Sequence, residues 1–194
     1  MRSLNNQKTN VVPYLERKYS DTFRMESYSL RSIDIPYDEA VCTDSQGRKV
    51  KVYVEYQEEQ VIMTDDYYGT LKMPEYRYQL QSSLDSQQIL CKFITEFSAN
   101  AFAAEPSVPL MQAMEEDPDQ FYTKTILYLG PDAPLEEAQF EGLCQALGQK
   151  HMTMYLAVYR LSADRYAEVD ESGKASDYLP EDRTQEPLFK KIIK

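Results

Sequence analysis

The sequence predicts an α+β protein, with antiparallel sheets packed against helices and an internal echo that leaves open two related α/β halves. Three stretches carry that reading. In residues 49–56, Val50, Val52 and Val54 alternate with Lys49, Lys51, Tyr53 and Glu55, the two-residue period of a strand with one buried and one wet face. In residues 135–147, Phe140, Leu143, Cys144 and Leu147 recur at helical spacing and Gly148 offers a stop. Residues 152–161 are apolar on both faces, which suits a central strand. A chain of 194 residues with 42% hydrophobic and 27% charged residues can bury a core without a disulfide or metal staple. The expected organisation is a disordered leader over residues 1–10, an α+β domain over 11–85 and a second α+β domain over 86–194.

The elements follow in order. Val11, Val12, Leu15 and Tyr19 define a short amphipathic helix. Strands are predicted at 23–30, 38–43 and 49–56, the last two joined by a hairpin in which Gly47 takes a positive backbone angle, with a short fourth strand at 60–63. Asp65 or Asp66 caps a helix that buries Tyr68, Leu71, Tyr76 and Leu80, and Pro74 demands a kink or restart in it. Residues 91–98 fit a strand, 110–115 a short helix, 123–129 a strand and 135–147 a helix. After the strand at 152–161, the turn Ser162-Ala163-Asp164 leads to a partner strand at 165–169, and the apolar residues of the tail, Leu188, Phe189, Ile192 and Ile193, dock back on the body. The echo pairs helix, strand, strand and Thr64-Asp65-Asp66-Tyr67 with helix, strand, strand and Ser176-Asp177-Tyr178.

Charge and composition narrow the activities. A net charge of -11 argues against nucleic acid and anionic membranes, because phosphate neutralisation needs clustered Lys and Arg, and it favours a basic or neutral protein as partner. No apolar run reaches the length of a membrane span, and the polar start, residues 1–10, is not signal-like; it has the character of what remains when a signal or anchor segment is removed. Cys42, Cys91 and Cys144 lack metal-ligand spacing and read as buried thiols. The single histidine, His151, falls in a turn, and no nucleophile elbow, zinc helix or phosphate-cradling glycine loop is present, so neither catalysis nor a cofactor is expected. The acidic pairs Asp65 with Asp66 and Asp38 with Glu39, and the run Glu115-Glu116-Asp117, read as solvated faces and caps. Sixteen tyrosines remain. Tyrosine suits both a half-buried sheet and a recognition surface, and Tyr53, Tyr67 and Tyr68 are the candidate contact residues.

Two motifs, Tyr14-Leu15-Glu16-Arg17-Lys18-Tyr19-Ser20-Asp21 and Thr64-Asp65-Asp66-Tyr67-Tyr68-Gly69, resemble those of a group of uncharacterised proteins from Gram-positive gut bacteria of the clostridial kind. Ser20 stands where that group usually has glycine. Many of those proteins look like lipoproteins, so the resemblance implies an extracytoplasmic, envelope-associated place if an anchor has been removed, and a cytoplasmic one otherwise; it implies no activity. The expected function is a non-enzymatic binding or structural protein with an acidic, tyrosine-bearing face. The alternative is an acidic immunity or inhibitor protein against a basic toxin.

Overall fold

The first helix, α1 (Leu4–Tyr19), begins inside the stretch expected to be a disordered leader. In this computed structural model the described residues are 4–57, 60–97, 104–179 and 186–194, with side chains from residue 10 onward; leader positions 1–3 and the last residue of the strand expected at 91–98 lie outside them. Val11 and Leu15, four apart, are fully buried. Once that turn is anchored, each further residue adds a helical hydrogen bond, so the polar stretch before it extends the helix rather than fraying from it. Pro13 forfeits one such bond inside the helix.

The chain divides into two units, Met1–Met73 with Ala99–Val108, and Pro74–Ser98 with Pro109–Lys194. In the first, β1 (Phe23–Ser29), β2 (Asp38–Asp44), β3 (Lys49–Gln57) and β4 (Gln60–Asp65) form an antiparallel meander in the order β1-β2-β3-β4. Alternation places Ala40, Cys42, Val50, Val52 and Val54 on one face, where they bury against Val11, Leu15, Phe23 and Tyr67. The β2–β3 hairpin turns through Gly47 at φ 82, with the Asp44 amide donating to the Arg48 carbonyl at 3.0 Å. In β1 the register slips between Met25 and Ser27, a bulge that lets one strand absorb an extra residue. Helix α2 (Tyr67–Ser86) runs through Pro74, and the division between units falls at that proline rather than at residue 85.

The second unit holds β5 (Lys92–Phe97), α3 (Leu110–Glu116), β6 (Thr123–Leu129), α4 (Glu137–Gln149), β7 (Met154–Arg160), α5 (Ala163–Glu168) and β8 (Phe189–Ile193). Its sheet, in the order β5-β6-β7-β8, is mixed: β6 and β7 run parallel, as the α4 crossover requires, while β5 and β8 are antiparallel to their neighbours. The echo between the halves therefore does not extend to strand connectivity. The strand expected at 165–169 is the helix α5. Ser162 caps it, its side chain accepting from the Arg165 amide, and β7 already has β6 on one side and the C-terminal β8 on the other. Helix α4 passes through Gly148, the expected stop, and ends at Gln149 with Lys150 as its C-cap and His151 in the left-handed conformation at φ 56.

Candidate functional site

The two motifs that stand out in the sequence meet on one side chain. Asp65, at the end of β4, has no exposure; its Oδ2 accepts from the Tyr14 hydroxyl at 2.7 Å and the Lys18 ammonium at 2.7 Å, and its Oδ1 from the Tyr19 hydroxyl and the Tyr67 amide at 3.1 Å. Tyr14 and Lys18 are four apart on α1, so one helix face delivers both donors. Asp65, not Asp66, takes the first-turn amide of α2; the Asp66 Oδ1 accepts from the Lys51 amide instead.

Two further carboxylates bracket β2. At its start, Asp38 accepts from the Arg31 amide at 2.8 Å, the Tyr28 hydroxyl at 2.8 Å and the Tyr56 hydroxyl at 2.7 Å. At its end, Asp44 accepts from the Gln46 and Arg48 amides, from Arg48 Nε at 2.5 Å and from the Tyr67 hydroxyl. Burial pushes both carboxyls upward, but the donors outweigh it: Asp38 is held below its ordinary range and Asp44 falls to about 2. The tyrosines answer in the opposite sense. Burial and the adjoining carboxylate push Tyr14, Tyr19, Tyr28 and Tyr67 up, which keeps their hydroxyls protonated and donating. Reading these acids as solvated is therefore corrected for Asp38 and Asp65, because interior hydroxyls satisfy them, while Asp65 keeps the expected place as a cap of α2.

This arrangement decides where the three candidate tyrosines stand. Tyr67 and Tyr68 are buried, Tyr67 on Asp44 and Tyr68 donating to the Val108 carbonyl at 3.0 Å, so neither is part of an exposed face. At the start of α2, Tyr67 packs into the core of the first sheet, its ring meeting those of Tyr19 and Phe23 edge-on at 4.8 and 5.3 Å. Tyr53 does sit on the open face of the first sheet, half-buried beside Val41 and Ile62 with Lys49, Lys51, Glu39 and Glu55 around them. Desolvation, with Asp66 and Glu39 nearby, pushes its hydroxyl up to about 12. The charges on this face are of both signs, and Lys51 pairs with Glu39 at 3.5 Å.

What the sequence reading missed lies next to Tyr53. The β1–β2 loop, residues 30–37, exposes three large aliphatic side chains: Ile33 is fully exposed, and Leu30 and Ile35 about half. The loop is braced at both ends. Its first limb is held by the Arg31 amide on Asp38, with the Arg31 guanidinium 4.6 Å from the Tyr56 ring centre. The Ser32 amide donates to the Ile35 carbonyl at 2.9 Å, closing the tip. Its second limb is held by Tyr37, whose ring meets Tyr53 edge-on at 4.9 Å. The signal was present in the sequence as Leu30, Ile33 and Ile35 in a Pro- and Ser-containing connector, where three large aliphatics have no strand period to explain them.

In the second unit, His151 is exposed, with Nδ1 3.7 Å from the equally exposed Glu115. Among the described residues, buried polar side chains there are hydroxyls: Tyr76 bonds Thr123 at 2.6 Å and Thr125 at 2.9 Å, and Thr95 bonds Thr125 at 2.6 Å. A groove of about 530 Å³ lies between α4 and β8, but Glu141 and Lys191, which line it, neutralise each other at 2.5 Å. Cys42 and Cys144 are buried, Cys91 is half-buried, and all three are free thiols. Among the described residues no three His, Cys, Asp or Glu side chains converge as a metal set, and no helix is long and apolar enough to cross a membrane. Compared with protein-family models, with curated proteins and with solved structures, the chain matches none of them.

Proposed function

We propose that this is a non-enzymatic binding protein that meets a basic or neutral protein partner through the 30–37 loop and the adjoining Tyr53 face of its first unit. The observation that carries the reading is Ile33, a large aliphatic side chain held in water at the tip of a loop fixed at both ends. An apolar anchor on a rigid support loses little freedom when it enters a partner's pocket, which is how a small contact reaches useful affinity. The net charge of -11 supports a basic or neutral partner and speeds the approach of a basic one. Display at the cell envelope belongs to the same reading and rests on the resemblance of the two motifs alone. The same charge also supports the second reading, an acidic inhibitor of a basic toxin; because charge speeds association with either kind of basic partner, a toxin gene adjacent to this one is what would favour it.

The test is site-specific photo-crosslinking in the producing cells. A crosslinking residue at position 33 or 53 should trap one and the same protein, while the exposed positions Tyr78 and Leu90 trap none. Equal adducts from all four positions, or none from 33 and 53, would refute the proposal.

A further inference from the structure

The buried polar side chains divide between the units by chemical type. Among the described residues, the buried acids, Asp38, Asp44 and Asp65, all belong to the first unit, whereas the buried polar side chains of the second are Ser83, Thr95, Thr123, Thr125 and Thr153. We propose that acid opens the first unit selectively, through Asp38 and Asp44, while the second unit stays folded.

The geometry makes these carboxylates intolerant of a proton. Asp38 Oδ2 accepts from both Tyr28 and Tyr56, and its Oδ1 from the Arg31 amide. Asp44 Oδ1 accepts from the Gln46 and Arg48 amides, and its Oδ2 from Arg48 Nε and the Tyr67 hydroxyl. Each of these neighbours donates; the amides and the Arg48 guanidinium can do nothing else, so a protonated carboxyl either displaces one of them or turns a tyrosine hydroxyl around to accept, and in both cases a native hydrogen bond is lost. The charged groups around them are few. Asp38 faces Arg31; Asp44 faces Arg48, and Asp21 acts on the Tyr67 hydroxyl that Asp44 shares. In the adjoining cluster, Lys18 pairs with Asp65, with Asp66 beside it.

The second unit has no comparable burden. Its interior hydroxyls both donate and accept and do not titrate in acid. Among its described residues, the acids that accept from its backbone are half-buried, as Glu96 on the Ala175 amide and Glu171 on the Phe93 amide, or exposed, as Asp117 on the Gln120 amide and Asp170 on the Ser172 amide; Arg77 with Glu171 is a half-buried ion pair, and pairs such as Lys190 with Glu186 lie in water where they contribute little.

The direction of the effect follows from linkage. Asp38 and Asp44 are held below the ordinary carboxylate range when folded and return to about 3.9 when unfolded. Their contribution is complete above about pH 4 and is lost as the pH falls toward 2, by up to about tenfold in the folding constant per pH unit for each carboxylate. Amide-resolved NMR of the full chain, stepped from pH 6.5 to 2, reads this directly. Signals of β2 and β3 should leave their native positions below pH 4 while those of β6 and β7 remain. Tyr56→Phe, which keeps the ring and removes one donor from Asp38, should move the first transition to higher pH without moving the second. Loss of both units together, loss of the second unit first, a native first unit at pH 2, or an unmoved midpoint in Tyr56→Phe would each overturn the proposal.

Discussion

Replacing Asp65 with asparagine isolates the contribution of the cluster on which the two motifs converge. The carboxylate is wholly buried and accepts from four donors, one of them the ammonium of Lys18, itself only 11% exposed. An amide of the same shape keeps one acceptor oxygen, turns the other oxygen into a donor facing donors, and leaves Lys18 without its counter-charge. Removing one partner of a buried pair costs about 3–5 kcal/mol, because the remaining charge stays desolvated. In a unit of this size each kcal/mol lowers the midpoint by about 4–8 °C, so Asp65→Asn should lower that of the first unit by at least about 12 °C. The assay is thermal unfolding followed by hydrogen exchange of peptides from α1 and β3, with β6 and β7 peptides as internal control. Adding Lys18→Met to Asp65→Asn should recover part of the loss, since it removes the stranded charge and keeps the aliphatic stem. A loss below about 1 kcal/mol, the value of a solvated surface pair, would refute the burial argument.

Three helices end on a non-glycine residue in the left-handed conformation: Ser20 at φ 53, Gln88 at φ 55 and His151 at φ 56. Glycine at any of the three should stabilise its unit by about 0.5–1 kcal/mol, read as a rise in midpoint, since only glycine adopts that conformation without a Cβ penalty. Ile33→Asp should leave stability within about 0.5 kcal/mol, because the side chain touches nothing it needs for folding, while abolishing the crosslink from position 53. Burial pushes the Cys42 and Cys144 thiols up to about 11 and that of Cys91 up to about 12. At pH 8 a disulfide reagent should therefore label the native protein slowly and all three cysteines rapidly in denaturant.

Strands β1, β2 and β3 were legible because Val50, Val52 and Val54 against Lys49, Lys51 and Tyr53 admit one period, and β6 and β7 because their apolar runs exceed what a surface segment carries. Residues 165–169 were misread although Tyr166 and Val169, three apart, fit the helical period and not the strand's; the other deciding facts, the Ser162 cap and the docking of β8 on β7, are respectively subtle and distant in sequence. Helix α4 was ended too early for a related reason: Gly148 looks like the stop, but the left-handed residue is His151, with Met152 donating back to Leu147. The tyrosines were the hardest to place. Nothing local distinguishes Tyr67, whose hydroxyl reaches Asp44 across 23 positions, from Tyr78, which faces water. One clue was available: Tyr14 and Lys18 flank the buried Leu15, so a hydroxyl and an ammonium are carried toward the core and require an acceptor there.

The central claim is that most tyrosines of the first unit are internal donors to buried carboxylates, so that the proposed contact surface rests on the 30–37 loop and Tyr53. Nitration of the native protein, mapped by mass spectrometry, tests it most directly. Tyr67 and Tyr68 should stay unmodified while the exposed Tyr78 reacts, and modification of Tyr67 or Tyr68 at the rate of Tyr78 would contradict the account.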